Sequence, residues 1–203
     1  MMSNKADRVH DDDFTFISRC QKGDAEAFGA LVERYQKKMF NIAFRMTGDY
    51  EAAGEIVQEA FLSAFRAIKT FRGEATFATW MTSIVLNHAK NSLKKTRVIS
   101  HYETISLDQS AEANDETPRF DPPARGLSAV ELLEKKNVQE AVQEAINSLD
   151  ADFREVLILK DIQELSYEEI GPILNIPDGT VKSRIFRARE ALRERLKSKL
   201  GDW

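Results

Sequence analysis

The sequence predicts an all-α protein made of two small helical domains joined by an acidic flexible linker. Apolar residues recur at helical spacing over most of the chain, and no convincing alternating run marks a strand. Helix-starting and helix-stopping side chains punctuate those runs at Asp24, Gly48, Asp49 and Ser166. Between Val98 and Leu127 the periodicity vanishes; Pro118, Pro122 and Pro123 occur there, and from Glu103 to Glu131 seven acids face two arginines. The expected domains are residues 10–97 and 128–200, with the linker at 98–127.

Asp13 to Gln21 reads as a short helix ending near Gly23. Asp24 caps a long amphipathic segment through Met46, which Gly48 stops. Asp49 caps the next helix, running to about Ile68. Its inward face carries Val57, Ala60, Phe61, Ala64, Phe65 and Ile68; Glu55, Glu59, Leu62 and Arg66 point outward, with Gln58 at the side. An outward Leu bordered by charges suits docking of a partner helix. It equally suits a solvated face with one stray Leu.

The segment Phe71-Arg72-Gly73-Glu74-Ala75 is a loop with an aromatic beside a permissive Gly, a weak signal for a pocket that takes a flipped base. Thr76 then starts a helix to about Lys95. Phe77, Met81, Ile84, Val85 and His88 face a core; Ser83, Asn87, Lys90 and Lys94 point away, flanked by Trp80 and Asn91. Amides, lysines and an aromatic on one stripe can hydrogen-bond bases, neutralise phosphates and stack on an unpaired base. Each stacked base contributes about 1–3 kcal/mol in single-strand binders. Trp80 also fits an ordinary core position, and His88 reads as structural.

An acidic, extended linker can occupy a basic channel built for nucleic acid, or simply tether the domains. Helices resume at Ser128–Ser148 and Ala151–Ile162. From Ser166 the pattern is a short helix, a tight turn and a longer basic helix, the order of a helix-turn-helix. Ser166 and Glu169 form a capping box, Asp178-Gly179 has turn chemistry, and Thr180 is a good N-cap. Pro172 lies inside the first helix and should kink or shorten it. In the second, Val181, Ile185, Ala188, Leu192 and Leu196 share a buried face. Ser183, Phe186, Arg187 and Glu190 fall opposite, with Lys182 and Arg184 on the flanks. An exposed Phe beside Arg and Ser suits thymine-methyl, guanine and phosphate contacts in a major groove. A merely solvated basic helix is the alternative.

The 203-residue chain carries a net charge of −4, which argues against indiscriminate coating of nucleic acid. The charge is unevenly spread. Thr180–Leu200 holds eight basic residues against two acids, and Val85–Arg97 holds four basic residues and no acid. Two basic surfaces on an acidic chain suggest targeted DNA contact. A single cysteine, Cys20, a polar acidic N-terminus and the lack of a long apolar run lead to the expectation of a cytoplasmic protein without membrane insertion. Scattered His10, His88 and His101, with no phosphate loop or metal-ligand cluster, argue against an enzyme and imply no cofactor. An operator-binding dimer would leave the first domain's polar stripe without purpose, and a helical adaptor would leave both basic surfaces unexplained.

Four runs stand together in order: Ala27-Phe28 with Leu31-Val32 and Tyr35; Glu55-Ile-Val-Gln-Glu-Ala-Phe-Leu62; Phe71-Arg-Gly-Glu-Ala-Thr-Phe-Ala-Thr-Trp80; and Ser166-Tyr-Glu-Glu-Ile170 with Gly179-Thr-Val-Lys-Ser-Arg-Ile-Phe-Arg-Ala-Arg189. In these runs the chain resembles the sigma factors of bacterial RNA polymerase, specifically the small two-domain extracytoplasmic-function (ECF) group. The resemblance implies a region 2 helical bundle, a region 4 helix-turn-helix and promoter-specific initiation of transcription. It implies that Glu55, Gln58, Glu59 and Leu62 dock on the β′ clamp helices of core polymerase. Ala67, Phe71, Asn87, Lys90 and Asn91 match positions that recognise the −10 element and hold a base flipped from the non-template strand; Trp80 joins them from the stripe. Lys182, Ser183, Arg184, Phe186 and Arg187 match the −35 reading helix. Further implied are docking of the second domain on the β flap, entry of the linker into the active-site cleft, and control by an anti-sigma factor. Gly54, where an acid is common, and Gly171-Pro172, in place of a more helical pair, depart from the family pattern.

Overall fold

A computed structural model describes residues 5–106 and 129–200, all helix and short connections among the described residues. The helices are α1 (Lys5–Gln21), α2 (Ala25–Thr47), α3 (Tyr50–Ala67), α4 (Phe77–Ser106), α5 (Ala129–Asn147), α6 (Ala151–Leu157), α7 (Tyr167–Leu174) and α8 (Asp178–Leu200). A 3-10 turn (Ile68–Thr70) follows α3, and a π turn (Ile158–Ile162) extends α6. The expected linker between residues 107 and 127, and the role assigned to it, lie outside the described residues.

Local chemistry sets the helix ends. Asp24 Oδ1 accepts from the backbone N–H groups of Glu26 and Ala27 at 3.0 and 3.2 Å, and Asp49 Oδ1 accepts from Ala52 at 2.8 Å. Caps of this kind contribute about 1 kcal/mol each. Gly48 closes α2 in the left-handed region, at φ 74°, and its N–H donates to Phe44 O at 2.7 Å. Ser166 and Glu169 exchange both capping-box bonds, at 2.7 and 3.2 Å.

Three boundaries differ from the sequence reading. Helix α1 begins well ahead of Asp13. Helix α4 runs on through Ser106 rather than yielding to a linker at Val98, because no Gly or Pro interrupts Thr96–Ser106 and an established helix propagates cheaply. Helix α8 begins at Asp178, so Asp178-Gly179 is its first turn and not the reversal, and Thr180 is not its cap. The reversal sits one step earlier. Asn175 is left-handed at φ 55°, and the Pro177 carbonyl accepts from the Thr180 and Val181 N–H groups at 2.8 and 3.0 Å. Pro172 lies inside α7, which continues past it to Leu174 and ends at the left-handed Asn175.

Helices α2, α3 and α4 pack on one another around Leu31, Met39, Ile42, Met46, Ala60, Ala64, Phe77, Met81 and Val85, all buried. Helix α1 is held against α2 by Asp13, whose carboxylate accepts from the Tyr35 hydroxyl and pairs with Arg34 at 2.5 Å. Burial, with the Asp13 hydrogen bond second, drives the Tyr35 pKa far above its usual value. The second unit packs α5, α6 and α7 against α8 around Val156, Leu157, Ile158, Ile170, Val181 and Ile185.

The two helical units also pack against each other, with one continuous apolar cluster running through both. At the seam, Arg154 donates from Nη1 to Met46 O, at the C-terminal end of α2, and from Nη2 to Asn147 O and, at 3.1 Å, to Leu149 O. The Met46 carbonyl lies in the last turn of α2, at the negative pole of that helix where carbonyls lack an intrahelical partner, so a guanidinium suits it. Burial lowers the Arg154 pKa, and Arg97 adds to the effect. Gln143 accepts from Arg45 Nη1 at 2.9 Å and donates to Arg45 O at 3.2 Å. Gly48 is part of the fit: a Cβ there would meet Asn147 Nδ2 at 1.9 Å.

Candidate polymerase-docking and DNA-reading surfaces

On α3, Glu55, Gln58, Glu59 and Leu62 are all exposed. Leu62 does not stand alone. Phe65, expected inside, is 42% exposed and meets Phe28 edge-on with centroids 5.1 Å apart, so Leu62 and Phe65 together form an apolar strip ringed by charge. His88 braces this surface from α4, with Nδ1 3.3 Å from Glu59 and Nε2 3.1 Å from Ser63 Oγ. That is the structural role expected of it.

The loop between α3 and α4 encloses a cleft of about 380 Å³ lined by Phe71, Gly73, Thr79, Trp80, Ser83 and, from α7, Pro172. Gly73, at φ 73°, makes the turn. Trp80 packs tilted against Phe71 and Phe77, with centroids 4.9 and 5.8 Å apart, leaving it half-buried: part core, part cleft wall. The sequence reading missed what holds this loop. The Gln21 side-chain amide donates to the Ile68 and Phe71 carbonyls at 3.1 and 2.9 Å. No local pattern signals a contact between residues 50 apart in sequence. Ala67, half-buried, ends α3 beside this loop.

From the cleft the polar stripe continues along α4. Asn87, Asn91 and Lys94 are exposed. Lys90 is not free: its Nζ lies 2.9 Å from Glu155 Oε2, across the seam. Glu155 is 2% exposed, and burial, opposed by its pairing with Lys90, raises its pKa. Oε2 accepts no well-directed hydrogen bond, so the contact with Lys90 is ionic in character.

Helix α8 buries Val181, Ile185 and Ala188 and exposes Lys182, Ser183, Phe186 and Arg187, as its periodicity implies. Phe186 is 68% exposed. Lys182 and Lys160 approach the Tyr167 ring, at 5.7 and 4.9 Å from its centroid. Arg184 turns inward instead, 3.5 Å from Glu155 and 3.7 Å from Asp152. Arg189, unassigned by the sequence reading, locks α8 to the π turn through both oxygens of Asp161. Gly171 explains one departure noted above. A Cβ there would come within 2.9 Å of Asp178 Oδ1 and 3.1 Å of Ile176 O, where α7 meets the start of α8.

No helix among the described residues is long and apolar enough to cross a membrane. Family models for Sigma-70 region 2 and Sigma-70 region 4 match residues 31–98 and 139–192. The RNA polymerase sigma-H factor of Pseudomonas aeruginosa is 35% identical over 196 residues, 96% of this chain and 98% of that protein. The ECF RNA polymerase sigma-E factor of Escherichia coli K12 is 37% identical over 180 residues, 89% and 92% of the two chains. CnrH, solved in complex with the cytosolic domain of CnrY, shares the fold at TM-score 0.64 and 22% identity, covering 93% of this chain and 99% of that one. RpoE of Bartonella quintana, solved in complex with the anti-sigma factor NepR, does so at TM-score 0.62 and 22% identity, covering 86% and 99%. The chain therefore belongs to the extracytoplasmic-function family of bacterial RNA polymerase sigma factors, subunits that bind core polymerase and direct transcription initiation at promoters rather than enzymes in their own right.

Proposed function

We propose that this sigma factor divides promoter recognition between two domains, about residues 10–97 and 128–200. Lys182, Ser183, Phe186 and Arg187 read the −35 duplex from the first turns of α8, with Arg184 beside them for phosphate. Ala67, Phe71, Trp80, Asn87, Lys90 and Asn91 take the −10 non-template strand, and the cleft at Phe71 and Trp80 receives an extruded base. Glu55, Gln58, Glu59 and Leu62 dock on the β′ clamp helices, and the second domain docks on the β flap.

One observation carries the −10 assignment: Ser83 lines the cleft, and Asn87 and Lys90 follow it at i+4 and i+7 on the same helix face. A captured base therefore leads its flanking phosphates onto amides and ammonium groups. Strand opening follows from base capture and involves no chemical step. Two modest DNA contacts become one strong one because polymerase holds both domains near the promoter at high effective concentration.

The protein acts in the cytoplasm with core polymerase and is held inactive by an anti-sigma factor. Support for that partner comes from RpoE, solved in complex with the anti-sigma factor NepR, beside CnrH, solved in complex with the cytosolic domain of CnrY. Reconstitution with core polymerase followed by mapping of transcript starts tests the whole reading. Defined starts absent with core alone are expected, and start selection no better than core alone would refute it.

A further inference from the structure

We propose that Gln21 is a positioning residue for −10 recognition: its side-chain amide fixes the backbone that leads into the Phe71–Trp80 cleft, and so sets which unpaired base the cleft accepts. The inference rests on the assignment of that cleft to the −10 strand. Gln21 acts through the loop and not on the base. Its Nε2 donates to two carbonyls, Ile68 O at 3.1 Å and Phe71 O at 2.9 Å. Both N–H donors of one amide are spent there. The two carbonyls bracket the 3-10 turn Ile68–Thr70, in which the Phe71 N–H donates back to Ile68 O at 3.2 Å. The side chain therefore pins both ends of the turn, where a single bond would leave a pivot.

The pinned end matters because the Phe71 ring is a wall of the cleft, with its centroid 4.9 Å from Trp80 and 6.3 Å from Phe77. Turning the Phe71 backbone turns that wall. At its other end the loop is fixed to α4, where Thr76 Oγ1 accepts from the Thr79 N–H at 3.1 Å. Arg72–Ala75 thus runs between an anchor on α1 and an anchor on α4. Gln21 is itself well held, as the last residue of a helix whose Ile17 and Cys20 are buried in the core. Just beyond it Gly23, at φ 99°, donates its N–H to Cys20 O at 2.9 Å, and Arg19 pairs with Asp24 at 2.7 Å across the corner into α2. Both Gln21 bonds are part-buried, so water can reach the carbonyls once the amide is gone. The fold then survives and the aim of the loop does not, because a site is only as precise as the groups that hold its walls.

Gln21→Met keeps the reach of the side chain and removes both donors. Gln21→Glu keeps the shape but sets a carboxylate against two carbonyls, so it displaces the turn further. The measurement is holoenzyme affinity for pre-melted promoters substituted one base at a time through the −10 element, beside a matched panel through the −35 element. Both panels are run at a temperature where circular dichroism shows every chain folded. Preference at the captured −10 position is expected to fall about fivefold in Gln21→Met and further in Gln21→Glu, with −35 preferences and core affinity unchanged. Wild-type preference at every −10 position in both variants would overturn the proposal. So would an equal loss across the two panels, the mark of a purely structural role. Trp80→Leu tests the underlying reading separately. If that holoenzyme keeps wild-type preference throughout the −10 panel, the cleft holds no base and the role of Gln21 falls with it. If it flattens one position that Gln21→Met leaves intact, the cleft assignment stands and the role of Gln21 alone falls.

Discussion

The Arg154 guanidinium donates to the backbone carbonyl of Met46, so the C-terminal end of α2 is capped by a side chain 108 positions further along the chain. The same group satisfies the carbonyls of Asn147 and Leu149 in its own domain. One buried cation therefore serves the fold of the second domain and its seating on the first. Arg154→Met keeps the apolar stem and deletes every donor. Hydrogen bonds to charged groups contribute about 1.5–3 kcal/mol each, so a loss of at least that size is expected in urea unfolding. An unchanged midpoint would mean that these carbonyls find other partners.

Arg187 is exposed on α8 and free of the acids that hold Arg184 and Arg189. Replacing it by Ala should cost about 1–3 kcal/mol of discrimination at one base pair of the −35 element. Core binding should be untouched. Loss of core affinity instead would make the helix a docking surface.

Asn87 is exposed one turn beyond Ser83 at the cleft. Asn87→Ala should weaken preference among −10 sequences on duplex promoters, read as the spread of open-complex yields over a panel of −10 variants. A panel response identical to wild type would take Asn87 out of the recognition stripe.

Leu62 is 49% exposed and supports no core. Leu62→Gln should change stability by less than about 0.5 kcal/mol. If the Leu62–Phe65 strip seats a clamp helix, the same change should weaken binding to core polymerase by more than about 1 kcal/mol in a competition assay. Equal affinity would leave Leu62 a bystander.

Gly171 sets two effects against each other. Ala would gain about 1 kcal/mol of helix propensity, but its Cβ meets the Ile176 carbonyl, a backbone atom, at 3.1 Å. Overpacking of this kind costs about 1–3 kcal/mol. A net loss in thermal stability is expected for Gly171→Ala, and a gain would show that the α7–α8 crossing is loose.

Features decided within a few residues were legible in the sequence. The caps at Asp24, Asp49 and Ser166, the stop at Gly48 and the buried face of α8 all follow from side chains acting on their own helix. Asp178-Gly179 misled because the dipeptide has turn chemistry in isolation; Asn175 had already completed the reversal. Phe65 misled for another reason. Periodicity assigns a face and cannot say how far that face is covered; this ring meets Phe28 edge-on and stays 42% exposed. The seam was not legible at all. Lys90 reads as a free cation and Glu155 as one acid among many until folding brings them together.

The Gln21 amide, which donates to the Ile68 and Phe71 carbonyls, makes the first helix a structural hand on the rim of the cleft at Phe71 and Trp80. Whatever perturbs α1, whether a fusion tag, a shortened N-terminus or a protein leaning on that helix, transmits its effect to a loop at the far end of α3. Reporter fusions built at the amino end would then differ from carboxyl-end fusions in how readily they melt a promoter.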